Sequence, residues 1–398
     1  MQRSFLLLQG TASPFFHRLG VALRARGHAV LRVNFCGGDL IYSGRQDILN
    51  YTGVLASLPQ WYGDLVESEN VTDVVMFGDC RDIHHYMHPI AQERNLRVHV
   101  FEEGYVRPYW ITLEEHGVNG RSKLPRDPDW YLAYCEGGRP IPPSQPTGYN
   151  LYERAFHDIC YRGANALFAT KFSNYSSHRP HNGLLEYAGL AWRALRSNSY
   201  AREASRVTKA LLAERRRYYL FPLQLNSDAQ IVTHSPFAGV CDAINSVMYS
   251  FARCAPSNAC LVIKNHPLDT GIIRYKKRVS RLSIELDIVD RVRFIDSGHL
   301  PTLLEHAEGA VVVNSTVGLS ALHHRRPLVV LGHAIYDMPG LTWQGGIDAF
   351  WSNAGPPDMR LYHSFLEYVI HRTQINGDFY TKKGIEMAVA GSVRRLVE

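Results

Sequence analysis

The sequence predicts an α/β protein built from two doubly wound halves, each with a mainly parallel sheet between layers of helices. Short runs of Val, Ile and Leu occur in both halves, and runs of this length are typical of buried parallel strands. They alternate with segments in which apolar residues recur at helical spacing. The chain has 398 residues, 45% of them hydrophobic and 20% charged, so it can form two globular domains of ordinary size.

The first half begins with a strand, a loop, a helix and a second strand, at residues 5–8, 9–14, 15–26 and 29–35. This order is the usual start of a doubly wound domain. The loop lacks both GxGxxG and a P-loop lysine, which excludes the dinucleotide and ATP fingerprints. We expect Gly10 either to let the backbone approach a ligand or simply to make the turn. Residues 36–39 are expected to form a second turn, and the alternative is that Asp39 lines the same cleft.

An acidic pair follows the fourth predicted strand. Strands are expected at residues 71–77 and 97–101 with a helix at 84–94 between them, and the second of these strands leads into Glu102-Glu103-Gly104. Neighbouring side chains of an extended segment face opposite ways, so one carboxylate can point into a cleft. Such a carboxylate can accept the proton of an attacking hydroxyl group. The alternative for the acidic pair is a solvated acidic loop. The segment that follows, residues 110–119, is expected to be irregular.

The middle of the chain separates the two halves. Residues 121–150 are rich in Pro, Gly, Asp and Arg, which predicts a long loop. From residue 151 to 217 the apolar positions recur at helical spacing, and the part from 184 to 217 is basic and aromatic. Two interpretations stay open for this part: a patch that touches anionic lipid headgroups, or an ordinary solvated helix face.

The second half repeats the alternation of strands and helices. Strands are expected at 218–223, 259–263, 291–295, 310–313 and 327–331, and helices at 241–254, 301–307, 317–323, 361–372 and 384–397. We therefore expect an N-terminal domain at 1–210 and a C-terminal domain at 211–360. The terminal helices at 361–398 are expected to pack back toward the N-terminal domain.

Two polar motifs follow strands of the second half. Lys264-Asn265-His266-Pro267 comes after one, and Asn314-Ser315-Thr316 comes after another. Polar groups at the carboxyl ends of parallel strands point into the ligand crevice of an open sheet. Lys, His and hydroxyl side chains, with the N–H groups of the next helix, are donors for a phosphate. The pair predicts a clamp for the phosphate of a nucleotide-activated donor, and the alternative is two strand ends with a helix cap at Ser315.

Composition limits the partners and the compartment. The net charge of +6 and pI near 8.9 suit anionic substrates or an anionic membrane surface, but the charge is too weak and dispersed to indicate nucleic acid. Seven cysteines without CxxC spacing favour a reducing compartment without a zinc site or disulfides. The apolar run at residues 5–8 is too short for a signal peptide, so we expect a protein that is soluble or peripheral at most.

The motifs resemble those of a known family. Glu102-Glu103-Gly104, the Lys264 motif and the Asn314 motif resemble three signatures of bacterial GT-B transferases that use CMP-activated ulosonic acids, namely sialyltransferases and capsule β-Kdo transferases. Longer strings, such as residues 101–108 and 336–342, are similar to capsular polysaccharide proteins of the KpsS/LipB type over most of the chain. Two departures, Cys36 where the family more often has Asn and Ser320 where it has Glu, lie outside the three signatures.

The resemblance implies a GT-B fold with two Rossmann-like domains facing a central cleft. It further implies that Kdo is moved from CMP-β-Kdo to a phosphatidylglycerol lipid, in an inverting, β-linking, metal-independent reaction that starts the capsule lipid linker and needs no cofactor besides this donor. The resemblance implies that Glu103 is the catalytic base, with Glu102 as the second candidate. It implies that the CMP-sugar is bound by His266, Pro267, Lys264, Asn314, Ser315 and Thr316, and that Gln224 and Asp228 lie beside the nucleotide. The positions implied near the acceptor are Gly10, Asp39 and Arg107.

The resemblance also implies a cytoplasmic protein, peripheral at the inner membrane, whose partners are CMP-Kdo, the lipid acceptor and other capsule assembly proteins. Three alternatives stay open. The donor could be CMP-sialic acid or a UDP-sugar, the protein could be a non-catalytic partner in capsule assembly or export, and Ser315 could be a hydrolase nucleophile. No GxSxG elbow surrounds Ser315, which argues against the hydrolase.

Overall fold

The computed structural model describes residues 2–135, 140–177, 183–226, 231 and 233–397. The chain divides into two compact units. The first comprises Met1–Lys123, Pro140–His178 and Val369–Glu398, and the second comprises Leu124–Arg139 and Arg179–Tyr368. Each unit contains a largely parallel sheet with helices, which confirms the predicted α/β class.

The described residues form twelve strands in two sheets. In chain order the strands are β1 (Ser4–Leu7), β2 (Ala29–Asn34), β3 (Ile48–Asn50), β4 (Asp73–Phe77), β5 (Arg97–Glu103), β6 (Trp110–Glu115), β7 (Tyr218–Pro222), β8 (Cys260–Lys264), β9 (Val292–Ile295), β10 (Gly309–Val312), β11 (Leu328–Val330) and β12 (Gln374–Asn376). The first unit has the order β12-β6-β5-β4-β1-β2-β3, in which only the β6 pairings are antiparallel. The second unit has the all-parallel order β11-β10-β7-β8-β9.

Helices cover both sheets. Those of the first unit are Phe15–Arg24, Gly37–Ile41, Leu58–Ser68, Asp82–His85, Met87–Glu93, Leu151–Leu167 and Lys382–Val397. Those of the second are Pro128–Cys135, Gly183–Leu195, Ser197–Ala213, Val240–Cys254, Tyr275–Glu285, Leu300–Glu305, Val317–His323 and Gly346–Asn353, and Met359–Thr373 begins in the second unit and ends in the first. Short 3-10 turns lie at Leu55–Ser57, Asn119–Arg121 and Val289–Arg291.

The strands of the first unit are buried on both faces because successive side chains alternate between two cores. Phe5 and Leu7 of β1 pack into a core with the helices Phe15–Arg24 and Lys382–Val397. Leu6 of β1 packs into another core with the helices Leu58–Ser68 and Met87–Glu93. This double burial explains why the strands read as continuous apolar runs in the sequence.

The strands of the second unit are also buried on both faces. Phe221, Ile263 and Val311 pack on one face, against the helices Val240–Cys254 and Gly346–Asn353. Leu220, Val262 and Val312, their neighbours in sequence, are also fully buried. The short strands therefore fix the positions at which the loops after β7, β8 and β10 begin.

Several local expectations were wrong. Residues 110–115 form β6 rather than irregular structure, because their backbone pairs with β5 on one side and β12 on the other. Residues 37–41 form a helix rather than a turn, and the loop expected at 121–150 contains the helix Pro128–Cys135. The helix expected at 84–94 is divided into two.

The division into units differs from the predicted boundary at residue 210. Residues 179–210 group with the second unit, in which Arg193 forms an ion pair with Asp296. The C-terminal helix Lys382–Val397 lies in the first unit and shares a core with Phe15 and Leu19. Within the described residues, none of the helices is long and apolar enough to cross a membrane.

Candidate functional site

The acidic pair lies at the carboxyl end of β5, in the first unit. The backbone there is held by β6, because Glu102 lies opposite Thr112 and Glu103 opposite Ile111. The hydroxyl group of Thr112 also donates to the carbonyl of Glu103 at 3.1 Å. The carboxylate of Glu102 turns back and accepts the N–H of Glu103 at 2.9 Å. The Glu102 carboxylate therefore stabilises the backbone at the end of β5, whereas the Glu103 carboxylate contacts side chains outside the strand.

The Glu103 carboxylate is surrounded by three donors. Its Oε1 accepts a hydrogen bond from the Tyr380 hydroxyl at 3.1 Å and lies 3.2 Å from Nη1 of Arg154. Its Oε2 lies 4.0 Å from Nη1 of Arg107. The side chain is one-quarter exposed, so it stays within reach of a substrate. Oε1 is thus held by two close contacts within the protein, whereas the contact recorded for Oε2 is longer.

The buried Tyr380 and the one-third exposed Arg154 together support this carboxylate. The guanidinium group of Arg154 lies 4.9 Å from the centre of the Tyr380 ring. Burial opposes the charge of Arg154, but the interactions with Tyr380 and Glu103 outweigh it and raise its pKa. Burial, reinforced by the Glu103 charge, raises the pKa of Tyr380. The tyrosine therefore keeps its proton and acts as a donor to Glu103.

The structure gives Gly10 and Asp39 internal contacts. A Cβ atom at Gly10 would lie 2.7 Å from the Phe16 ring, so close packing accounts for this glycine. Asp39 is 1% exposed, and its carboxylate accepts hydrogen bonds from Tyr161, from Gln9 and from the N–H of Phe35. Both positions have these contacts within the first unit, and their place near the acceptor stays a prediction.

Lys264 ends β8 in the second unit with its side chain buried. Its Nζ lies 3.5 Å from the carbonyl of Asn265, and no ion pair with a carboxylate is recorded for it among the residues that the structure describes. Burial lowers the pKa of the Lys264 ammonium group. A buried cation without a carboxylate partner is a favourable place for an anion.

His266 follows two residues after Lys264 and is partly exposed. Its Nδ1 accepts the N–H of Leu268 at 3.1 Å, so in the neutral ring the proton lies on Nε2. In this tautomer Nε2–H is a hydrogen-bond donor. Pro267 is exposed beside it.

A buried polar network holds the turn that carries His266. Asn265 donates from Nδ2 to Asp269 at 3.1 Å and to Asp296 at 2.9 Å, and its Oδ1 accepts the N–H of His266. Arg193, from the helix Gly183–Leu195, lies 2.8 Å from Asp296 and 3.8 Å from Asp269. Arg193 is therefore an internal partner of this turn rather than a surface charge.

Asn314, after β10, is joined to Gln224, after β7. Gln224 donates from Nε2 to Oδ1 of Asn314 at 3.0 Å, and its Oε1 accepts the Asn314 N–H at 3.3 Å. Both side chains are buried, so the pair fixes the two strand ends to each other. Asp228, expected to frame the nucleotide with Gln224, lies outside the described residues.

Ser315 and Thr316 are half-buried at the start of the helix Val317–His323. The Ser315 hydroxyl accepts the N–H of Val317 at 3.2 Å, so this serine does cap the turn. The N–H groups of Gly318 and Leu319 bond to the carbonyls of Ser315 and Thr316. The N–H groups of residues 317–319 thus already have acceptors, which leaves the two hydroxyl groups as the donors for a ligand.

The Tyr336 hydroxyl donates to the Ser315 carbonyl and fixes the backbone of this motif. Gly318 lies directly beneath the same side chain, where a Cβ atom would be 2.2 Å from the phenolic oxygen. Burial raises the pKa of Tyr336, so the phenol stays protonated and remains a donor.

A family model described as capsule polysaccharide biosynthesis protein matches residues 72–380. The capsule polysaccharide export protein KpsS of Escherichia coli is 37% identical over 379 residues, covering 95% of this chain and 97% of that protein. The chain belongs to the capsule polysaccharide biosynthesis protein family. The predicted resemblance is thereby confirmed.

One further relative and one solved structure are also similar to the chain. The capsule polysaccharide modification protein LipB of Neisseria meningitidis serogroup B is 34% identical over 395 residues, covering 95% of this chain and 92% of that protein. Among solved structures, KpsC of Thermosulfurimonas dismutans, a β-Kdo 2,7 transferase, aligns over 100% of both chains with 15% identity and a TM-score of 0.44.

The match to the family spans both clusters. It contains the acidic pair, the motifs after β8 and β10, and the supports Arg154 and Tyr380. Sequence reasoning did not find Arg154, Tyr380, Arg193 or Tyr336. Each contacts a residue that lies far away in the sequence, and only Arg193, in the basic part from 184 to 217, gave any signal.

Proposed function

We propose that this member of the capsule polysaccharide biosynthesis family is a glycosyltransferase that moves Kdo from CMP-Kdo to a phosphatidylglycerol-type lipid, forming the start of the capsule lipid linker. The observation that carries the proposal is the buried Lys264 ammonium group, for which no carboxylate partner is recorded among the described residues. An anionic ligand would supply the missing charge. Kdo as the sugar and the lipid as the acceptor follow from the sequence resemblance.

On the donor side, the phosphate of CMP is proposed to lie between Lys264, His266 and the hydroxyl groups of Ser315 and Thr316. These groups supply a charge and hydrogen-bond donors that stabilise the negative charge of the departing CMP. Asn314 and Gln224 act by holding the strand ends in place. Pro267 is proposed to pack near the cytosine.

On the acceptor side, Glu103 is proposed to take the proton of the attacking hydroxyl group through Oε2. The acceptor oxygen then bonds to the anomeric carbon of Kdo while the bond from that carbon to the CMP phosphate breaks, and CMP leaves with the electron pair. Arg107 is half-exposed beside Glu103, where it can bind an anionic group of the acceptor. CMP is a good leaving group in these surroundings, so the proposed step uses no metal ion.

The anomeric configuration of the product tests whether the reaction proceeds by a single displacement. A single displacement inverts the anomeric carbon, so CMP-β-Kdo would give an α-linked product. The β linkage implied by the resemblance requires net retention, as given by two displacements of which the first is by an enzyme carboxylate, or by attack on the same face that CMP leaves. An inverting reaction and a β-linked product therefore cannot both follow from CMP-β-Kdo, and NMR of the product distinguishes the two courses.

The test is a transfer assay with purified protein, CMP-Kdo generated in situ and a fluorescent phosphatidylglycerol analogue, with and without EDTA. We expect a mass gain of one Kdo that survives EDTA and falls by about 10²-fold or more in Glu103→Gln, while this variant still binds CMP. Glu115→Gln, an exposed carboxylate at the other end of β6, is the matched control and should keep its activity.

A second candidate function is a non-catalytic role in capsule assembly or export. It is favoured by the name of the Escherichia coli relative, which is described as an export protein. Transfer from CMP-sialic acid but not from CMP-Kdo would keep the site and change the sugar. Absence of transfer from every CMP-sugar would favour the non-catalytic role.

A further inference from the structure

The helix Leu151–Leu167 turns its polar side chains toward the protein. Arg154 lies against Glu103, His157 Nδ1 is 2.7 Å from the Tyr42 hydroxyl, and the Tyr161 hydroxyl donates to Asp39 at 2.7 Å. Asn165 accepts the N–H of Gly38 at 2.6 Å. These residues recur every three or four positions, so they occupy one face of the helix.

The opposite face is apolar and exposed. Tyr152, Phe156, Ile159 and Leu167 recur at helical spacing, and their exposed fractions are 88%, 63%, 55% and 75%. Ala155, Gly163 and Ala166 fill the same exposed face. A surface helix of a soluble protein normally has the reverse arrangement, with its apolar face toward the core. We call the four large residues the outer face of this helix.

The outer face cannot be buried by rotating the helix. Rotation would break the buried bond between Tyr161 and Asp39 and the contact of Arg154 with Glu103. A Cβ atom at Gly37 would lie 2.2 Å from the carbonyl of Ala164, so the inner face is also closely packed. A contiguous exposed apolar face that is held this firmly indicates an external partner.

The charges around the outer face favour an anionic partner. Of the two carboxylates of the helix, Asp158 forms an ion pair with Arg162 at 3.0 Å, and Glu153 accepts a hydrogen bond from the neutral amide of Asn150 at 2.9 Å. Lys171, just after the helix, is exposed, and the whole chain carries a net charge of +6. Asp158 and Arg162 offset each other within the helix, and Lys171 adds a positive charge close to its end.

A helix of the second unit shows the same reversal independently. In Gly183–Leu195 the exposed positions include Leu185, Trp192 and Leu195, while Arg193 turns inward to Asp296. The next residue after this helix, Arg196, is exposed. Aromatic and aliphatic side chains beside basic ones are typical of helices that lie in the interface of a bilayer.

We propose that the outer face of the helix Leu151–Leu167 docks on an anionic phospholipid bilayer. The choice of lipid over protein rests on the proposed function, in which the acceptor is a membrane lipid. The inner face of the same helix holds Glu103 through Arg154, so docking would bring the proposed base to the surface that contains the acceptor. Phe156 and Ile159 would enter the interfacial layer.

The test is flotation with vesicles made of phosphatidylcholine and phosphatidylglycerol in equal amounts, without any sugar donor. We expect the Phe156→Asp/Ile159→Asp variant to bind at least about tenfold more weakly than the unmodified protein. The matched control is Val21→Asp/Val54→Asp, which adds the same charges at two half-exposed apolar positions of the same unit and should bind normally. Thermal melting of each variant checks its folding.

Leu167→Gln is the second variant, because this side chain is three-quarters exposed and we expect its replacement to leave the fold intact. Equal vesicle binding by these variants and the unmodified protein would overturn the proposal. The proposal would also be overturned if the unmodified protein formed dimers that Phe156→Asp/Ile159→Asp disperses, without binding vesicles. The assay contains no donor, so a failure of the transferase proposal does not affect it. Transfer to a water-soluble short-chain acceptor should survive in the docking variants.

Discussion

Nη1 of Arg154 lies 3.2 Å from Oε1 of Glu103, and this contact joins the helix Leu151–Leu167 to the end of β5. The two residues are 51 positions apart in the sequence, and the Tyr380 ring lies beneath the guanidinium group. The carboxylate is therefore oriented by parts of the chain that lie far apart in the sequence.

Arg154→Gln is expected to lower the rate of Kdo transfer by about 10²-fold, because loss of the guanidinium group lets the Glu103 carboxylate move from its position. Vesicle binding should not change, since Arg154 faces away from the outer face of its helix. The measurement is the rate of transfer to a short-chain acceptor together with vesicle flotation. Arg18→Gln, which removes an exposed contact with Glu386 in the same unit, is the control. Wild-type turnover in Arg154→Gln would contradict this role.

The sequence was sufficient to predict the elements that are buried on both sides. The apolar runs that became β1, β4, β8 and β10 predicted the parallel strands, and the polar motifs after β5, β8 and β10 predicted where the candidate site residues lie. β6 was missed because Glu114 and Glu115 interrupt its apolar pattern, and β12 was missed because it has only three residues. Both are antiparallel neighbours at one edge of the sheet, so distant pairing determines them.

The roles of individual polar residues were harder to predict. Asp39 looks like a ligand in the sequence, yet Tyr161 and Gln9 bind it within the first unit. Arg193 looks like a surface charge on a basic helix, yet it pairs with Asp296. In both cases the deciding partner lies roughly thirty to more than a hundred residues away, and local pattern contains no information on such contacts.

Arg193→Leu is expected to destabilise the second unit by about 3–5 kcal/mol, because Asp296 and Asp269 would be left buried without their cation. The free energy of unfolding from denaturant titration measures this loss, and CMP affinity should fall with it as the His266 turn loosens. Arg281→Ala is the control, since its exposed pair with Glu285 contributes about 0.5 kcal/mol at most. Equal losses in the two variants would contradict the buried network.

Gly318→Ala is expected to destabilise the protein by about 1–3 kcal/mol, because the new Cβ atom would overlap the Tyr336 hydroxyl. Displacement of Tyr336 would release the Ser315 carbonyl, so CMP binding should weaken as well. Calorimetry of CMP binding and denaturant titration measure the two effects. Gly355→Ala, where a Cβ atom would meet nothing within 4 Å, should change neither quantity. An unchanged CMP affinity in Gly318→Ala would show that Tyr336 does not position Ser315.

Lys264→Met is expected to raise the stability of the free protein while lowering its affinity for CMP. In the folded protein burial holds the pKa of Lys264 below its ordinary value of 10.5. Below the lowered pKa both the folded and the unfolded chains carry the proton, and the folded state bears the full cost of the buried charge. As the pH rises through the lowered pKa, the folded chain loses its proton first, so stability increases until the unfolded lysine titrates near pH 10.5.

This alkaline rise in the free energy of unfolding should be present in the unmodified protein and absent in Lys264→Met. CMP affinity should fall about tenfold or more in the variant, because a charged hydrogen bond contributes about 1.5–3 kcal/mol. Lys277→Met, at an exposed position of the helix Tyr275–Glu285, is the control for the removal of one positive charge. If Lys264→Met bound CMP as tightly as Lys277→Met, the anion near Lys264 would not be the donor phosphate. If Lys264→Met were also more stable than the unmodified protein, Lys264 would be a buried charge that does not bind the nucleotide.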